Sequence, residues 1–209
     1  MTPPISIDGT DITGATIDGT DVQEITVDGD VVFSAAPAGF FEGFEDGNLN
    51  EYSGDISSFT VQSNTVFAGN FALENVSSFD EIYRQDAMSP GDKAEYYTRT
   101  KINEVSQFFF GYDGSQGYMA SVNPSDGDMA MFRREISGFT QIGGILANNP
   151  NNTFFKCIVE YNSPNLEFRT EDLSGNTIGS FSVSDSTHTN TGFGFRGTDN
   201  VIYDSITIS

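Results

Sequence analysis

The feature that most restricts the fold is a rhythm of short apolar or alternating runs, each closed by a cluster of Gly, Asn, Asp, Ser or Pro. Such runs are read at 59–62, 71–74, 94–102, 107–111, 118–122, 129–133, 141–145, 153–161, 165–170, 177–183, 191–195 and 201–208. Clusters such as Asn123-Pro124-Ser125-Asp126-Gly127 and Asn148-Asn149-Pro150-Asn151-Asn152 separate them. A period of two places alternate side chains on one face of a strand, and no stretch carries the 3.6-residue period of a helix. Many short strands joined by polar turns predict an all-β chain folded as a β-sandwich.

The N-terminus follows a different pattern. Ile5-Ser6-Ile7-Asp8-Gly9-Thr10, Ala15-Thr16-Ile17-Asp18-Gly19-Thr20 and Ile25-Thr26-Val27-Asp28-Gly29-Asp30 recur every ten residues. Asp-Gly between alternating residues is a hairpin signal, because both residues tolerate the positive φ of a type I′ turn. Residues 5–33 are therefore expected to form a ladder of short strands turning at Asp8-Gly9, Asp18-Gly19 and Asp28-Gly29. A thin ribbon buries little by itself, so it is expected to attach to a partner or to oligomerise. A calcium-binding nonapeptide repeat has a different period and a Gly-Gly-x-Gly-x-Asp signature that is missing here. Ser34-Ala35-Ala36-Pro37-Ala38-Gly39 reads as a linker. The division expected is 1–36 for the hairpin repeat and 37–209 for the sandwich.

Charge narrows the partners. Asp+Glu 30 against Lys+Arg 9 gives a formal net charge of −21, and no Lys or Arg precedes Arg84. Self-repulsion on that scale destabilises a compact state in dilute buffer, and molar salt removes much of it by shortening the Debye length to about 3 Å. An acidic, lysine-poor chain with only Lys93, Lys101 and Lys156 is expected of a salt-loving host system, or of an acidic extracellular protein. The same charge argues against nucleic acid and against anionic membrane surfaces, which both require basic footprints. No apolar stretch is long enough to span a bilayer, and Met1-Thr2-Pro3-Pro4, with no basic residue and no apolar run after it, is not expected to open a secretory leader. The 37% hydrophobic content is enough for a folded core.

Three segments resemble a known family. Phe41-Glu42-Gly43-Phe44-Glu45-Asp46-Gly47-Asn48-Leu49 is similar to the opening strand of concanavalin-like jelly rolls, the relatives of laminin-G domains and carbohydrate-binding modules. Phe67-Ala68-Gly69-Asn70-Phe71-Ala72-Leu73 resembles their second strand, and Ile202-Tyr203-Asp204-Ser205-Ile206-Thr207-Ile208 their closing strand. One departure is Tyr52, where the family often has Trp. The resemblance implies an N-terminal β-hairpin ladder followed by a concanavalin-like jelly-roll β-sandwich. It also implies a structural Ca²⁺ held by Glu45, Asp46 and Asp204, or else turn-capping roles for these acids.

The segment 14–29 further resembles the start of structural proteins in tailed viruses of haloarchaea. That resemblance implies a fibre, spike or capsid-turret protein at the virion surface, outside the cell. Its expected partners are copies of itself as a trimer or pentamer, other virion proteins through the N-terminal ladder, and a host-surface glycan or surface-layer protein. A purely structural capsid or tail decoration protein, and a secreted carbohydrate-binding module or glycoside hydrolase, remain alternatives.

Enzymatic chemistry finds little support in the residues. A glycosidase of this fold wants acids on alternate strand positions, and Glu167-Phe168-Arg169-Thr170-Glu171 fits an exposed strand face equally well. His188, the single histidine, lies in the loop-like Ser184-Asp185-Ser186-Thr187-His188-Thr189 and is expected to be exposed. Cys157, the single cysteine, sits in a strand-like run where a buried inert thiol is expected. The chain is read as no enzyme. Ligand binding is expected around Tyr112, Asp113, Gln116 and Tyr118 at one hairpin and Arg196 and Asn200 at another, since rings stack on sugars and amides bond hydroxyls. The competing expectation is that Tyr118 and Phe195 face the core and that Tyr112 merely covers a turn. Asn75-Val76-Ser77 and Asn151-Asn152-Thr153 match the glycosylation sequon.

Overall fold

A computed structural model describes residues 40–85 and 87–209, together with the backbone pairing of six short strands between residues 6 and 34. Those strands, β1 (Ser6–Ile7), β2 (Thr10–Asp11), β3 (Thr16–Ile17), β4 (Thr20–Asp21), β5 (Glu24–Val27) and β6 (Asp30–Ser34), form three separate antiparallel pairs. The pairings Ile7↔Thr10, Ile17↔Thr20 and Val27↔Asp30 each leave two residues between the partners, the length a tight hairpin requires. The Asp-Gly residues expected at those turns lie outside the described residues.

The second unit spans Phe40–Ile208. Its strands are β7 (Phe40–Glu42), β8 (Ser53–Gly54), β9 (Phe59–Gln62), β10 (Ala72–Asn75), β11 (Glu81–Arg84), β12 (Lys93–Arg99), β13 (Ser106–Phe110), β14 (Gly117–Asn123), β15 (Asp128–Glu135), β16 (Gly138–Leu146), β17 (Phe154–Asn162), β18 (Asn165–Glu171), β19 (Thr177–Ser184), β20 (Phe193–Gly197) and β21 (Ile202–Ile208). One sheet runs β19-β18-β17-β12-β21-β10-β9, with β7 also on β21, and the other runs β16-β15-β14-β13-β20-β11-β8. All pairings are antiparallel. The architecture is a jelly-roll β-sandwich. Among the described residues no helix is long and apolar enough to cross a membrane.

The three motif segments meet in this frame. β7 pairs with β21 through Ile206↔Glu42 and Ile208↔Phe40, and β10 pairs with the same strand through Leu73↔Tyr203. Every expected run is found as a strand. The structure adds β8 and β11, which the runs did not include, and β11 proves central below.

The core lies between the sheets and is built on rings. Phe108 packs against Tyr96, Phe193 and Phe195, with centroids 4.7, 5.8 and 5.7 Å apart. Tyr52, which stands where the family often has Trp, is buried beside Phe44 and Phe193 and points its hydroxyl at Glu42 Oε2, 3.4 Å away. Truncating any one of these Phe rings costs about 3–5 kcal/mol, because the emptied space does not close fully.

The outer faces of the two sheets differ. In β12 and β18 burial alternates, so that Ala94, Tyr96, Leu166 and Phe168 point inward while Lys93, Glu95, Glu167 and Arg169 face out. In β13 every residue is buried, and in β14 all but the last. Both faces of these strands are covered, which marks the outer surface of the second sheet as something other than a solvated wall.

Candidate functional site

Register sorts the outer face of that sheet into two lateral rows. Ala130 pairs with Gly144 and with Ser121, Ser121 with Gln107, Gln107 with Arg196, and Arg196 with Glu81. In this first row the members on β14, β13, β20 and β11 are polar. Two residues further along each strand, Phe132 pairs with Met119, Met119 with Phe109, Phe109 with Gly194, and Gly194 with Tyr83. This second row is apolar. Gly194 is required there, because a Cβ would come within 2.5 Å of the Ile82 carbonyl oxygen.

The polar row is wired together. Arg196 donates from Nη1 to Gln107 Oε1 at 2.7 Å and from Nε to the Phe79 carbonyl at 3.0 Å. Gln107 Nε2 reaches Ser121 Oγ at 3.4 Å. Tyr112 donates to Glu81 Oε1 at 2.7 Å, and Arg134 Nη2 lies 4.0 Å from the same oxygen. Burial and the Glu81 carboxylate raise the Tyr112 pKa, so its hydroxyl stays a donor. Burial lowers the Arg196 pKa from a value so high that the guanidinium remains charged. Arg134 Nε is buried without a hydrogen-bond partner.

Rings cover the apolar row. Tyr112 stacks on Phe109 at 4.3 Å and meets Tyr83 edge-on at 5.7 Å. The Phe139 ring lies between two cations, 4.5 Å from the Arg134 guanidinium and 5.1 Å from that of Arg196, which also lies 4.8 Å from Phe79. Phe79 and Phe139 both present exposed surface. Beside them a cleft of about 440 Å³ opens over Ser121, Asn123, Asp128, Phe132, Gln141 and Leu146. It falls in the size range of small-molecule sites. Exposed rings flanked by fixed guanidinium, amide, hydroxyl and carboxylate groups can stack on an apolar ring face and bond hydroxyls at its rim.

The structure redistributes the residues expected to bind ligand. Tyr112 and Arg196 share this face through Glu81. Asp113 belongs to a separate hollow of about 400 Å³, which Gln85, Asp113, Thr189, Asn190 and Thr191 line. There Asn190 Nδ2 donates to Asp113 Oδ2 at 3.1 Å and to the Gln116 carbonyl at 3.3 Å. Tyr118 is not a ligand residue of that hairpin. It is buried in the core, donating to Asp185 Oδ1 at 2.9 Å and accepting from the His188 amide at 3.0 Å. Asn200 is an exposed turn residue with φ 69°, and its amide donates to the Asn75 carbonyl. Glu81, Gln107, Ser121, Arg134, Phe79 and Phe139 were not singled out from the sequence.

The residues expected to hold Ca²⁺ serve as hydrogen-bond acceptors for nearby loops. Asp204 Oδ2 accepts from the Phe67 and Ala68 amides at 2.6 and 3.2 Å, and Oδ1 from Ser205 Oγ. Glu45 accepts from the Asn70 and Phe71 amides, and Asp46 from the Asn48 amide and side chain. Calcium takes about six to eight oxygen ligands, and these carboxylates are already engaged by N–H and O–H donors. Among the described residues no three His, Cys, Asp or Glu side chains gather as a metal group. The two carboxylates instead clamp the loop 67–71, where Gly69 sits at φ 71° against Glu45.

Other expectations resolve individually. Glu167 and Glu171 are bridged by Arg169, at 3.3 and 2.9 Å, on the outer face of β18. His188 is buried rather than exposed, because it packs edge-on against Tyr118, and its Nε2 has no partner. Cys157 is buried. In the first sequon Asn75 is fully buried and donates to the Gly197 carbonyl, which leaves no room for a glycan, while Asn151 is exposed.

No protein-family model matches the chain, and no curated protein matches it either. Solved structures do share its fold. The carbohydrate binding module CBM66 from Bacillus subtilis superposes with a TM-score of 0.57 at 14% identity, over 78% of this chain and 97% of that one. A Bacillus subtilis protein described as having a galectin-like fold gives 0.56 at 10% identity, over 81% and 94%. The lumenal domain of VIP36, in its form bound to Ca²⁺ and Man3GlcNAc, gives 0.53 at 13% identity, over 73% and 83%. The sandwich thus has the fold of galectin-like domains and carbohydrate-binding modules.

Proposed function

We propose that the chain is a lectin-like binding protein, without catalysis, whose sandwich holds a glycan on the outer face of the β16–β8 sheet. The observation that carries this reading is the pair of rows: fixed donors and acceptors in Arg196, Gln107, Ser121, Arg134 and Glu81 beside the exposed Phe79 and Phe139 rings. A sugar has the matching division, hydroxyls at its rim and an apolar ring face. Two of the similar structures support it, one being named a carbohydrate binding module and one holding Man3GlcNAc. A glycan array probed in dilute buffer and in molar KCl tests it. Binding that Phe139→Ala and Arg134→Gln both abolish is the expected result, and a blank array at both salts overturns the reading.

We further propose that this protein stands on a virion surface of a salt-loving host system and recognises the host envelope through that face. Residues 1–36 attach it or join copies of it. The resemblance of 14–29 to virion proteins and the net charge of −21 support this placement. Mass spectrometry of purified particles tests it, since a chain missing from intact particles rules it out.

A further inference from the structure

Cations are scarce in this chain, and most are matched. Lys+Arg 9 stand against Asp+Glu 30. Arg84, Lys93, Lys101, Arg133, Lys156 and Arg169 each have a carboxylate oxygen within 3.9 Å. Of the others, Arg99 bonds Asn152 beside the first sheet, while Arg134 and Arg196 stand on the outer face of the second. Arg134 comes no nearer than 4.0 Å to Glu81 Oε1, too far for a hydrogen bond. Arg196 is in no ion pair among the described residues; its bonds go to the Phe79 carbonyl and to Gln107.

Carboxylates abound in the chain, so their shortage here is a property of the place. Glu81 pairs with Arg196 across the β11–β20 ladder, but its Oε1 already accepts from Tyr112 at 2.7 Å. Asp80 turns to Ser58 Oγ at 2.6 Å, and Asp128 borders the cleft around Ser121 and Asn123. The two guanidiniums meanwhile lie 4.5 and 5.1 Å from the same Phe139 ring. Gathering two like charges at one ring costs free energy, and an anion arriving there offsets it. Arg196 is also aimed: Nε and Nη1 are bonded, which leaves Nη2 with no hydrogen bond among the described residues and outside the buried polar atoms. A guanidinium fixed in this way is pre-organised for a carboxylate or a sulfate.

We infer that the glycan held on this face is an acidic one, whose carboxylate or sulfate seats on the Arg196 guanidinium beside Phe79 and Phe139. The inference rests on the reading of this face as a glycan site and narrows its ligand to sugars that carry an anionic oxygen group. A neutral sugar can bond the amides and hydroxyls of the polar row, but it leaves the second cation without a counter-charge. Distance sets the conditions under which such a ligand binds. A chain at −21 repels an anion from afar, and molar salt cuts the Debye length to about 3 Å, which removes the far repulsion and spares the contact.

Titration calorimetry in molar KCl tests the inference with three probes: a uronic acid oligosaccharide, its carboxyl-reduced form, and that reduced form bearing sulfate. An acidic probe is expected to bind about tenfold or more tightly than the neutral one. A gain from sulfate alone supports the inference and names the acid. Glu81→Gln keeps an acceptor for Tyr112 and removes the competing charge. It should raise affinity for the acidic probe about twofold to fivefold and lower it for the neutral one. Arg196→Gln should bring the two affinities together, whereas Arg99→Gln removes the same charge beside the other sheet and should leave their ratio as it was. Equal affinities for all three probes, or a Glu81→Gln change of one sign for acidic and neutral alike, overturn the inference. A chain that binds neutral glycans on an array but no acidic probe loses this inference alone, and a blank array removes the glycan reading with it.

Discussion

Arg196 donates to Gln107 Oε1 at 2.7 Å across the β13–β20 ladder while its guanidinium lies 4.8 Å from the Phe79 ring. Three functions meet in one side chain: it anchors the polar row, holds the Phe79 segment through the carbonyl and presents a cation beside two rings. Its removal should damage binding far more than folding.

Arg196→Lys keeps the charge and loses the planar fork. Lysine cannot bond Gln107 and the Phe79 carbonyl at once, and it stacks poorly on rings. On the proposed reading Arg196 also bonds the glycan, and losing one hydrogen bond from a charged group, about 1.5–3 kcal/mol, should lower affinity about tenfold or more. Titration calorimetry against the best array ligand measures this. An unchanged affinity removes Arg196 from the site.

Asp204→Ala leaves the Phe67 and Ala68 amides without an acceptor. Phe67 is half-buried and Ala68 exposed, so water replaces part of the lost acceptor and a loss of about 1–2 kcal/mol is expected in urea unfolding. Asp204→Asn retains one acceptor oxygen and should lose less. Equal losses in the two variants would show that the clamp does not act through those amides.

Acid should unfold the protein through Asp185. Burial alone would raise its pKa, but the Thr187 amide and hydroxyl, the Tyr118 hydroxyl and Arg133 outweigh it, and the value falls below the usual aspartate range. A depressed pKa gives stability that is complete above the ordinary value of about 3.9 and lost as pH falls through the folded one. Asp204 runs the other way. Burial raises its pKa, so the increment that its protonation adds belongs to acid pH and is lost as pH rises through the folded value, while the bonds from Phe67 and Ala68 persist. Asp185→Asn should therefore flatten the fall in thermal midpoint below about pH 4. An identical acid limb in variant and wild type would assign the loss to other carboxylates.

Cys157 should be inert in the native state. Burial pushes its thiol pKa up to about 12, and it has no second cysteine to pair with. Ellman's reagent should titrate no thiol in native protein and one per chain in guanidinium. Rapid labelling of native protein would mean that β17 opens readily.

His188→Phe should leave stability unchanged or slightly raised. Its Nε2 is buried with no partner, and an apolar ring of similar shape removes that unmet group while keeping the contact with Tyr118. A drop of several degrees in the thermal midpoint would show that the imidazole makes a bond this arrangement lacks.

Strands were legible because their signal is local. The run at 165–170 alternates, and β18 keeps that alternation with Leu166, Phe168 and Thr170 buried. β11 escaped notice because Glu81-Ile82-Tyr83-Arg84 presents a single buried residue, Ile82, amid polar neighbours. That gap hid Glu81, the carboxylate on which Tyr112 and Arg134 converge. The place of Tyr118 stayed open between turn and core for a related reason. Tyr118 begins a strand whose inward face belongs to the core, and a turn-flanking position in sequence does not reveal which way its ring points.

The sequence by itself determined the all-β class, the strand series, the three motif segments that meet at β21, and a charge balance in which cations are scarce. Each is written in composition, in the period of two, or in turn residues that act over a few positions. Only the tertiary structure decided that Arg134 and Arg196 share the Phe139 ring, that Asp204 and Glu45 clamp a loop, and that Gln107, 89 residues from Arg196, stands beside it. Register across a sheet is set by which faces can be buried together throughout the sandwich. A one-residue slip would turn both rows inward, and no local stretch of sequence records that constraint.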